Sequence, residues 1–109
     1  MSRYLLRLPA LICCLLPYSH LLAQPLDERQ ARLLAVNCLQ CHTRPASTAP
    51  QLGVAADWEQ VRAQQEEVTL RHVVEGLGGM PPLGYCSACS EDDLRQLSRF
   101  LAGITAASP

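Results

Sequence analysis

Apolar residues recur at helical spacing along this chain, in stretches that Pro- and Gly-containing segments separate. Residues 26–42 contain no Gly or Pro, and Asp27 and Glu28 at their start suit a helix N-terminus. Residues 43–56 carry two prolines and a glycine and predict a long loop. Asp57 is then placed to cap a short helix. The first half of the chain therefore predicts one long helix, a loop and a short helix.

The second half predicts two further helices. Residues 66–75 form one with an apolar side at 100° per residue. That side comprises Leu70, Val73, Val74 and Leu77. Residues 80–89 predict a Pro/Gly-rich loop, after which Ser90 opens the last helix with Asp93 three residues on, a weak capping box. Its apolar stripe is Leu94, Leu97, Leu101 and Ile104. With no convincing strand, the fold class is all-α.

The first residues have the features of a secretory signal. Arg3 and Arg7 precede an apolar stretch, and Ala23 is a suitable cleavage point. We therefore expect a signal peptide over residues 1–23 and a single domain over residues 24–109. The apolar stretch falls short of the roughly 18 to 20 residues of a spanning helix, so an uncleaved membrane anchor is the less favoured alternative.

Composition narrows the function of the exported part. Residues 24–109 carry seven Arg and ten Asp plus Glu, and the whole chain has no Lys. A net charge of about −3 argues against binding to nucleic acid or to an anionic bilayer. The aromatic residues of this part are Trp58, Tyr85 and Phe100, few for a domain of this size. A bound group is expected to fill part of the core.

The strongest chemical signal is a C-x-x-C-H run. Cys38, Cys41 and His42 stand at i, i+3 and i+4, so two thiols and one imidazole project from the same side of a helix. Covalent attachment of a c-type haem requires this pattern. The thiols can add to two vinyl groups while His42 binds the iron. The alternatives are a buried redox pair that happens to precede a His, or half of a zinc site.

A second cysteine pair keeps the zinc alternative open. Cys86 and Cys89 could complete a four-cysteine zinc site. The pairs are much farther apart in sequence than in common zinc sites, however, and His42 would have no role. Ser90 stands where a second haem site would need a His. In an exported protein a disulfide is the favoured interpretation.

Met80 is the candidate for the sixth iron ligand. It lies in a Gly-Gly-Met-Pro-Pro run, where glycines allow close backbone approach and prolines stiffen the chain. A thioether opposite a His raises the haem potential. His72 is the rival ligand, but its place on the polar side of its helix points it to solvent. We expect His42 and Met80 to face each other across an apolar slot. Its predicted lining is Leu34, Val54, Trp58, Val73 and Leu77.

Taken together, five segments resemble the bacterial cytochrome c5 family of class I cytochromes c. The resemblance covers roughly residues 29–103. The segments are residues 38–42, 49–53, 57–58, 79–82 and 86–94.

The resemblance implies a small class I cytochrome c fold, with about four helices around one covalently bound haem c and its iron. It pairs Cys86 with Cys89 in a disulfide. It gives the Pro50 carbonyl the task of orienting His42 through the other ring nitrogen, as metal-bound His residues generally need. It makes Trp58 a packing residue at the haem edge.

The function that this resemblance implies is electron transport. The protein would be a periplasmic carrier of single electrons between membrane or periplasmic redox proteins of a respiratory chain, not an enzyme, with no small-molecule substrate. Contacts with partners would be weak and transient. The absence of Lys means that a lysine-rich docking ring cannot be expected. A zinc-binding module, and a haem enzyme or gas sensor with an open iron position, are the competing hypotheses.

Overall fold

The computed structural model of the protein describes residues 25–104. The predicted signal peptide, residues 1–23, lies outside the described residues and stays a prediction. The α-helices, in chain order, are α1 (Glu28–Leu33), α2 (Leu39–His42), α3 (Glu59–Ala63), α4 (Glu66–Glu75) and α5 (Glu91–Ala102). Within the described range the backbone pairs in β fashion only at an isolated bridge. The predicted all-α class is confirmed.

The first long helix forms as predicted, with one irregularity. Asp27 caps α1 and forms a capping box with Gln30. Between α1 and α2 the chain continues as a π-helical stretch over Leu34–Cys38. The wider turn ends at Cys38, and Cys41 and His42 follow in α2. Such π-helical turns inside helices occur often at functional sites.

The short helix begins differently from the prediction. A 3₁₀ turn over Ala55–Trp58 leads into α3, and Asp57 lies inside that turn. The Asp57 carboxylate accepts a hydrogen bond from the backbone N–H of Gln51, with Oδ2 and N 2.9 Å apart. The predicted cap at Asp57 is therefore wrong, because its side chain binds the preceding loop.

The last two helices, α4 and α5, form close to where the apolar periodicity and the capping residues predict them. Helix α4 spans the predicted residues and ends at Gly76, whose φ is +87°. A Cβ there would lie 2.9 Å from the Met80 carbonyl oxygen, so this turn requires glycine. Ser90 caps α5 in a full capping box with Asp93. Ion pairs join α4 to α5, with Glu66 bound by both Arg95 and Arg99.

The core lies where the first helical run, the short helix and α5 meet. Its buried residues are Leu34, Trp58, Leu97, Leu101 and Ala102. An ion pair links α1 to α5: the half-exposed Arg29 donates to both carboxylate oxygens of the buried Asp93, each at 2.8 Å. The hydrogen bonds from Arg29 hold the pKa of Asp93 well below its usual range. The ion pair thereby holds the first helix, α1, against the last helix, α5.

None of the helices within residues 25–104 has the length and apolar character needed to cross a membrane.

Candidate functional site

The C-x-x-C-H residues occupy one short helical stretch. Cys38 ends the π-helical turn, and Cys41 and His42 lie in α2. Both thiols are free: Cys38 is half-buried and Cys41 is exposed. Burial raises the pKa of the Cys38 thiol, which stays protonated at neutral pH. Two free thiols and one imidazole therefore lie on one short helical stretch.

His42 is buried and held in one orientation. Its Nδ1 lies 2.7 Å from the carbonyl oxygen of Pro50. A carbonyl can only accept, so Nδ1 carries the proton and Nε2 keeps its lone pair for a metal. The Trp58 ring stacks on the imidazole, with centroids 5.3 Å apart and planes 30° apart. The ring is thus fixed by a hydrogen bond and by a face contact.

The loop that supplies the Pro50 carbonyl is organised by Gln51. The Nε2 of Gln51 donates to the Ala49 carbonyl oxygen at 2.7 Å, with longer contacts to Ser47 Oγ and the Cys41 carbonyl oxygen. The backbone carbonyl of Gln51 accepts from the indole N–H of Trp58 at 2.8 Å. Leu52 completes the attachment by donating its N–H to the His42 carbonyl oxygen at 2.7 Å. The loop after α2 is folded back onto α2.

Met80 lies in a tight turn that returns towards this loop. The backbones of Leu77 and Met80 exchange two hydrogen bonds, at 2.9 and 3.1 Å. A Cβ on Gly79 would lie 4.0 Å from Thr48 Oγ1, which places the Met80 turn beside the loop that carries Pro50. The Met80 side chain is partly buried. The structure thus places the Met80 turn beside the loop that follows His42; that both side chains bind one iron stays a prediction.

The segment after Met80 has unusual backbone geometry. Leu83, Gly84 and Tyr85 have φ of +61°, +55° and +62°, the left-handed region that non-glycine residues rarely adopt. The 3₁₀ turn that contains them packs against the π-helical stretch before α2. Cys86 and Cys89, directly after it, are paired with Cα atoms 5.4 Å apart. A constrained loop therefore lies between Met80 and α5.

The residues predicted to line an apolar slot fall into two groups. Leu34 and Trp58 are buried in the core. Val54 and Leu77 expose 45% and 59% of their surface, and Val73 is partly buried. Leu77 and Val54 thus present apolar surface beside the Met80 turn and the Pro50 loop. His72, expected at the surface, is only partly exposed.

The zinc alternative gains no support from the geometry. Cys86 and Cys89 bind each other, and residues 25–104 contain no cluster of three or more His, Cys, Asp or Glu side chains that could hold a metal ion. The donor set instead suits a haem, because two free thiols accompany an imidazole whose Nε2 is left available. The residues present fit that group.

Sequence reasoning missed the contribution of Gln51 and Asp57. Gln51 makes its contacts with backbone carbonyls and a hydroxyl of the preceding loop, and Asp57 binds a backbone N–H six residues away. Neither contact belongs to a capping or turn pattern with a fixed residue signature, so the sequence offered no signal for them.

Comparison with known proteins gives a consistent result. A family model described as "Cytochrome C oxidase, cbb3-type, subunit III" matches residues 25–101. The cytochrome c5 of Ectopseudomonas mendocina is 32% identical over 75 residues, which cover 66% of this chain and 85% of that protein. The cytochrome c5 of Azotobacter vinelandii is also 32% identical over 75 residues, with 66% and 89% covered.

A solved structure shares both fold and sequence with the chain. It is described as the crystal structure of an electron transfer complex of nitrite reductase with cytochrome c. The TM-score is 0.64 at 31% identity, and the match covers 74% of this chain and 99% of the other.

Proposed function

The chain belongs to the cytochrome c family, with cytochromes c5 among its relatives, and from this premise we propose that it is a periplasmic carrier of single electrons. Family membership implies one covalently bound haem c with its iron. In the proposed role the protein makes and breaks no substrate bond, and the haem, when bound, supplies one-electron exchange between ferrous and ferric iron.

The observation that carries the proposal is the arrangement around His42. Cys38 and Cys41 are free thiols within the helical turn before His42, whose Nδ1 lies 2.7 Å from the Pro50 carbonyl oxygen. The two cysteines would hold the haem through thioether bonds. His42 would bind iron through Nε2, the nitrogen that the Pro50 contact leaves free. A hydrogen bond on the other ring nitrogen fixes the tautomer and raises the basicity of a metal-bound His.

Met80 is proposed as the second residue that would bind the haem iron. The Gly76 turn and the hydrogen-bonded pair with Leu77 fix its backbone beside the Pro50 loop. Thioether ligation by Met80 together with His42 would favour the ferrous state and raise the reduction potential. Apolar surface on Val54 and Leu77 suits the packing of a haem in this region. An iron held by both residues would be suited to electron transfer rather than to the binding of a further ligand.

The proposed partners are membrane or periplasmic redox proteins of a respiratory chain. The similar solved structure is a cytochrome c in an electron transfer complex with nitrite reductase, and the matching family model takes its name from an oxidase subunit. Complexes that pass electrons turn over quickly and bury little area, below about 1,200 Å². We propose that the contacts of this protein are of that weak, transient kind. Cys86 and Cys89 are proposed to form a structural disulfide.

The experiment that tests the proposal is haem extraction. The full chain is expressed with export and covalent haem attachment, purified from the periplasm, denatured and treated with acid acetone. We expect the haem absorption to stay with the polypeptide. Haem that moves into the acetone phase would contradict covalent attachment, and a colourless protein with bound zinc would support the zinc module instead.

A second measurement separates a carrier from a haem enzyme or gas sensor. Carbon monoxide is added to the reduced holoprotein. Slow or absent binding is expected when Met80 occupies the sixth position. Fast binding that is unchanged in a Met80→Ala variant would indicate an open iron position.

A further inference from the structure

The peptide group between Pro50 and Gln51 is bound at both of its polar ends. Its carbonyl oxygen lies 2.7 Å from Nδ1 of His42, and its N–H donates to Oδ2 of Asp57 at 2.9 Å. A peptide group is planar, so these two contacts belong to one rigid unit. Rotation of the plane would break both hydrogen bonds together. Asp57 and His42 are therefore connected through a single peptide group.

The neighbouring contacts keep that plane from turning. The Gln51 side chain binds the Ala49 carbonyl oxygen, and the Gln51 carbonyl oxygen accepts from the Trp58 indole. Trp58 also stacks on the ring of His42. The peptide is thus held on both flanks by residues that themselves touch the site.

These contacts should increase the basicity of the His42 ring. A carboxylate that accepts from an N–H increases the polarisation of that peptide, and hydrogen bonds in series strengthen one another. The Pro50 carbonyl then becomes a stronger acceptor for the imidazole N–H. A stronger hydrogen bond at Nδ1 raises the basicity of the ring, which favours the higher oxidation state of a metal bound at Nε2.

We propose that Asp57 is a positioning residue that tunes His42, acting through the Pro50–Gln51 peptide. This inference rests on the proposed function, since it concerns the electron-donating strength of the iron ligand. Asp57 itself is exposed, so its field through water is screened. The route through the peptide is short and does not cross solvent. Asp57 lowers the reduction potential by this route.

The test compares two removals of one negative charge in the haem-loaded protein. Asp57→Asn keeps the size of the side chain and an acceptor oxygen but loses the charge. Glu59→Gln is the matched control, because Glu59 is also exposed, lies two residues away in the first turn of α3, and has no contact with this peptide among the described hydrogen bonds. Reduction potential and the NMR signal of the His42 Nδ1–H in the reduced protein are measured for both.

We expect Asp57→Asn to raise the reduction potential and to speed exchange of the Nδ1–H with water about fivefold, the factor that corresponds to a weakening of about 1 kcal/mol in one hydrogen bond. Glu59→Gln should leave the exchange rate unchanged and move the potential less. A purely structural role for Asp57 would lower thermal stability without moving either readout.

Equal potential shifts in the two variants with an unchanged Nδ1–H would overturn the inference. If Asp57→Asn yields too little holoprotein, Gln51→Leu is measured instead, since it keeps both backbone groups of the peptide and removes the side-chain contacts that hold it. In Gln51→Leu the reduction potential and the exchange rate of the Nδ1–H should both rise, as expected for Asp57→Asn. Unchanged values would contradict the inference. Wild-type protein that lacks covalent haem overturns the proposed function as well; wild-type protein that carries it, without an effect of Asp57, overturns only this inference.

Discussion

Charged residues divide this protein into two regions. The site region, residues 34–56 and 76–90, contains only one Arg or acidic residue, Arg44. The helix framework, residues 25–33, 57–75 and 91–104, contains all the others in the described range. Every ion pair among the described residues joins two members of the framework. The two regions are therefore held in different ways.

The site region depends on hydrogen bonds to backbone groups. Gln51 binds carbonyls of its own loop, and the turn at Met80 is closed by its own backbone. With so little charge nearby, the properties of a bound haem would depend on its ligands and their hydrogen bonds rather than on neighbouring ions. The ion pairs of the framework thus stabilise the fold, whereas the site region supplies the groups that would hold a haem. Asp57 is a framework carboxylate that contacts the site region, through the backbone N–H of Gln51.

The largest effect is expected from the attachment cysteines. Cys38→Ala or Cys41→Ala should leave little folded holoprotein, because this small domain has few aromatic side chains and little stability to spare without its haem. Holoprotein yield and helical circular dichroism of the exported variants are measured. A cooperatively folded apoprotein with full helix content would contradict this prediction, since the framework alone would then suffice for folding.

Replacement of Met80 should change the chemistry and leave the framework intact. In Met80→Ala we expect the affinity of the ferric protein for added imidazole to rise more than tenfold, about 1.4 kcal/mol, because no thioether competes. The reduction potential should fall with loss of the thioether ligand. His72→Ala is the control and should change neither quantity. The opposite result, an effect of His72 alone, would make His72 the ligand.

Removal of Asp93 should lower the stability of the fold and leave the chemistry of the site unchanged. Asp93→Ala deletes the ion pair with Arg29 and the capping box of α5, and should lower the free energy of unfolding by about 2 to 3 kcal/mol. Denaturant unfolding of the holoprotein measures this, and the reduction potential should stay unchanged. Glu28→Ala removes a fully exposed ion pair with Arg32 and serves as control, with an expected cost below about 0.5 kcal/mol. A large potential shift in Asp93→Ala would mean that the ion pairs of the framework also tune the site.

The lowered pKa of the Asp93 carboxylate makes the free energy of unfolding depend on pH. Its pKa in the folded protein is lowered by Arg29, so the ionised form stabilises the fold at pH values above the unfolded pKa of about 4. As the pH falls below that value, the unfolded chain takes up the proton first and the contribution is lost. Unfolding free energies measured between pH 6 and 3 should therefore fall less steeply in Asp93→Ala. Identical slopes would show that Asp93 contributes nothing to acid sensitivity.

The helical framework was largely predictable from the sequence, whereas the connections were not. Helix α4 and the Ser90 cap follow from periodicity and from a local hydrogen-bonding pattern. The π-helical turn before Cys38 has no residue signature, since its hydrogen bonds differ from those of an α-helix without a change in composition. Asp93 meets Arg29 across 64 residues of sequence, a contact that only the folded chain brings about.

For the candidate site, Cys38, Cys41 and His42 could be predicted from the motif, because covalent haem attachment fixes their spacing. The Pro50 carbonyl came from resemblance to a family, and the structure contains its hydrogen bond to His42. Asp57 was expected to start a helix, because an Asp before an apolar run usually caps. Its carboxylate instead has a nearer partner in Gln51, which the loop brings to it.

The smallest effect is expected from the second cysteine pair. Replacing both Cys86 and Cys89 with Ser should give a red, folded protein that is about 2 kcal/mol less stable, the modest value expected for so short a closed loop. Because the pair follows the Met80 loop, imidazole should displace Met80 more readily than in the wild type. Loss of haem from this variant, or two free thiols found by alkylation of the denatured wild type, would rule out a structural disulfide.

The central claim, that the site region carries one covalent haem on Cys38 and Cys41, is tested most directly by mass spectrometry under denaturing conditions. Intact protein from the periplasm should show the mass of the chain without residues 1–23 plus one haem, and after proteolysis that haem should remain on the peptide containing both cysteines. A polypeptide mass without haem, or haem carried by any other peptide, would contradict the account.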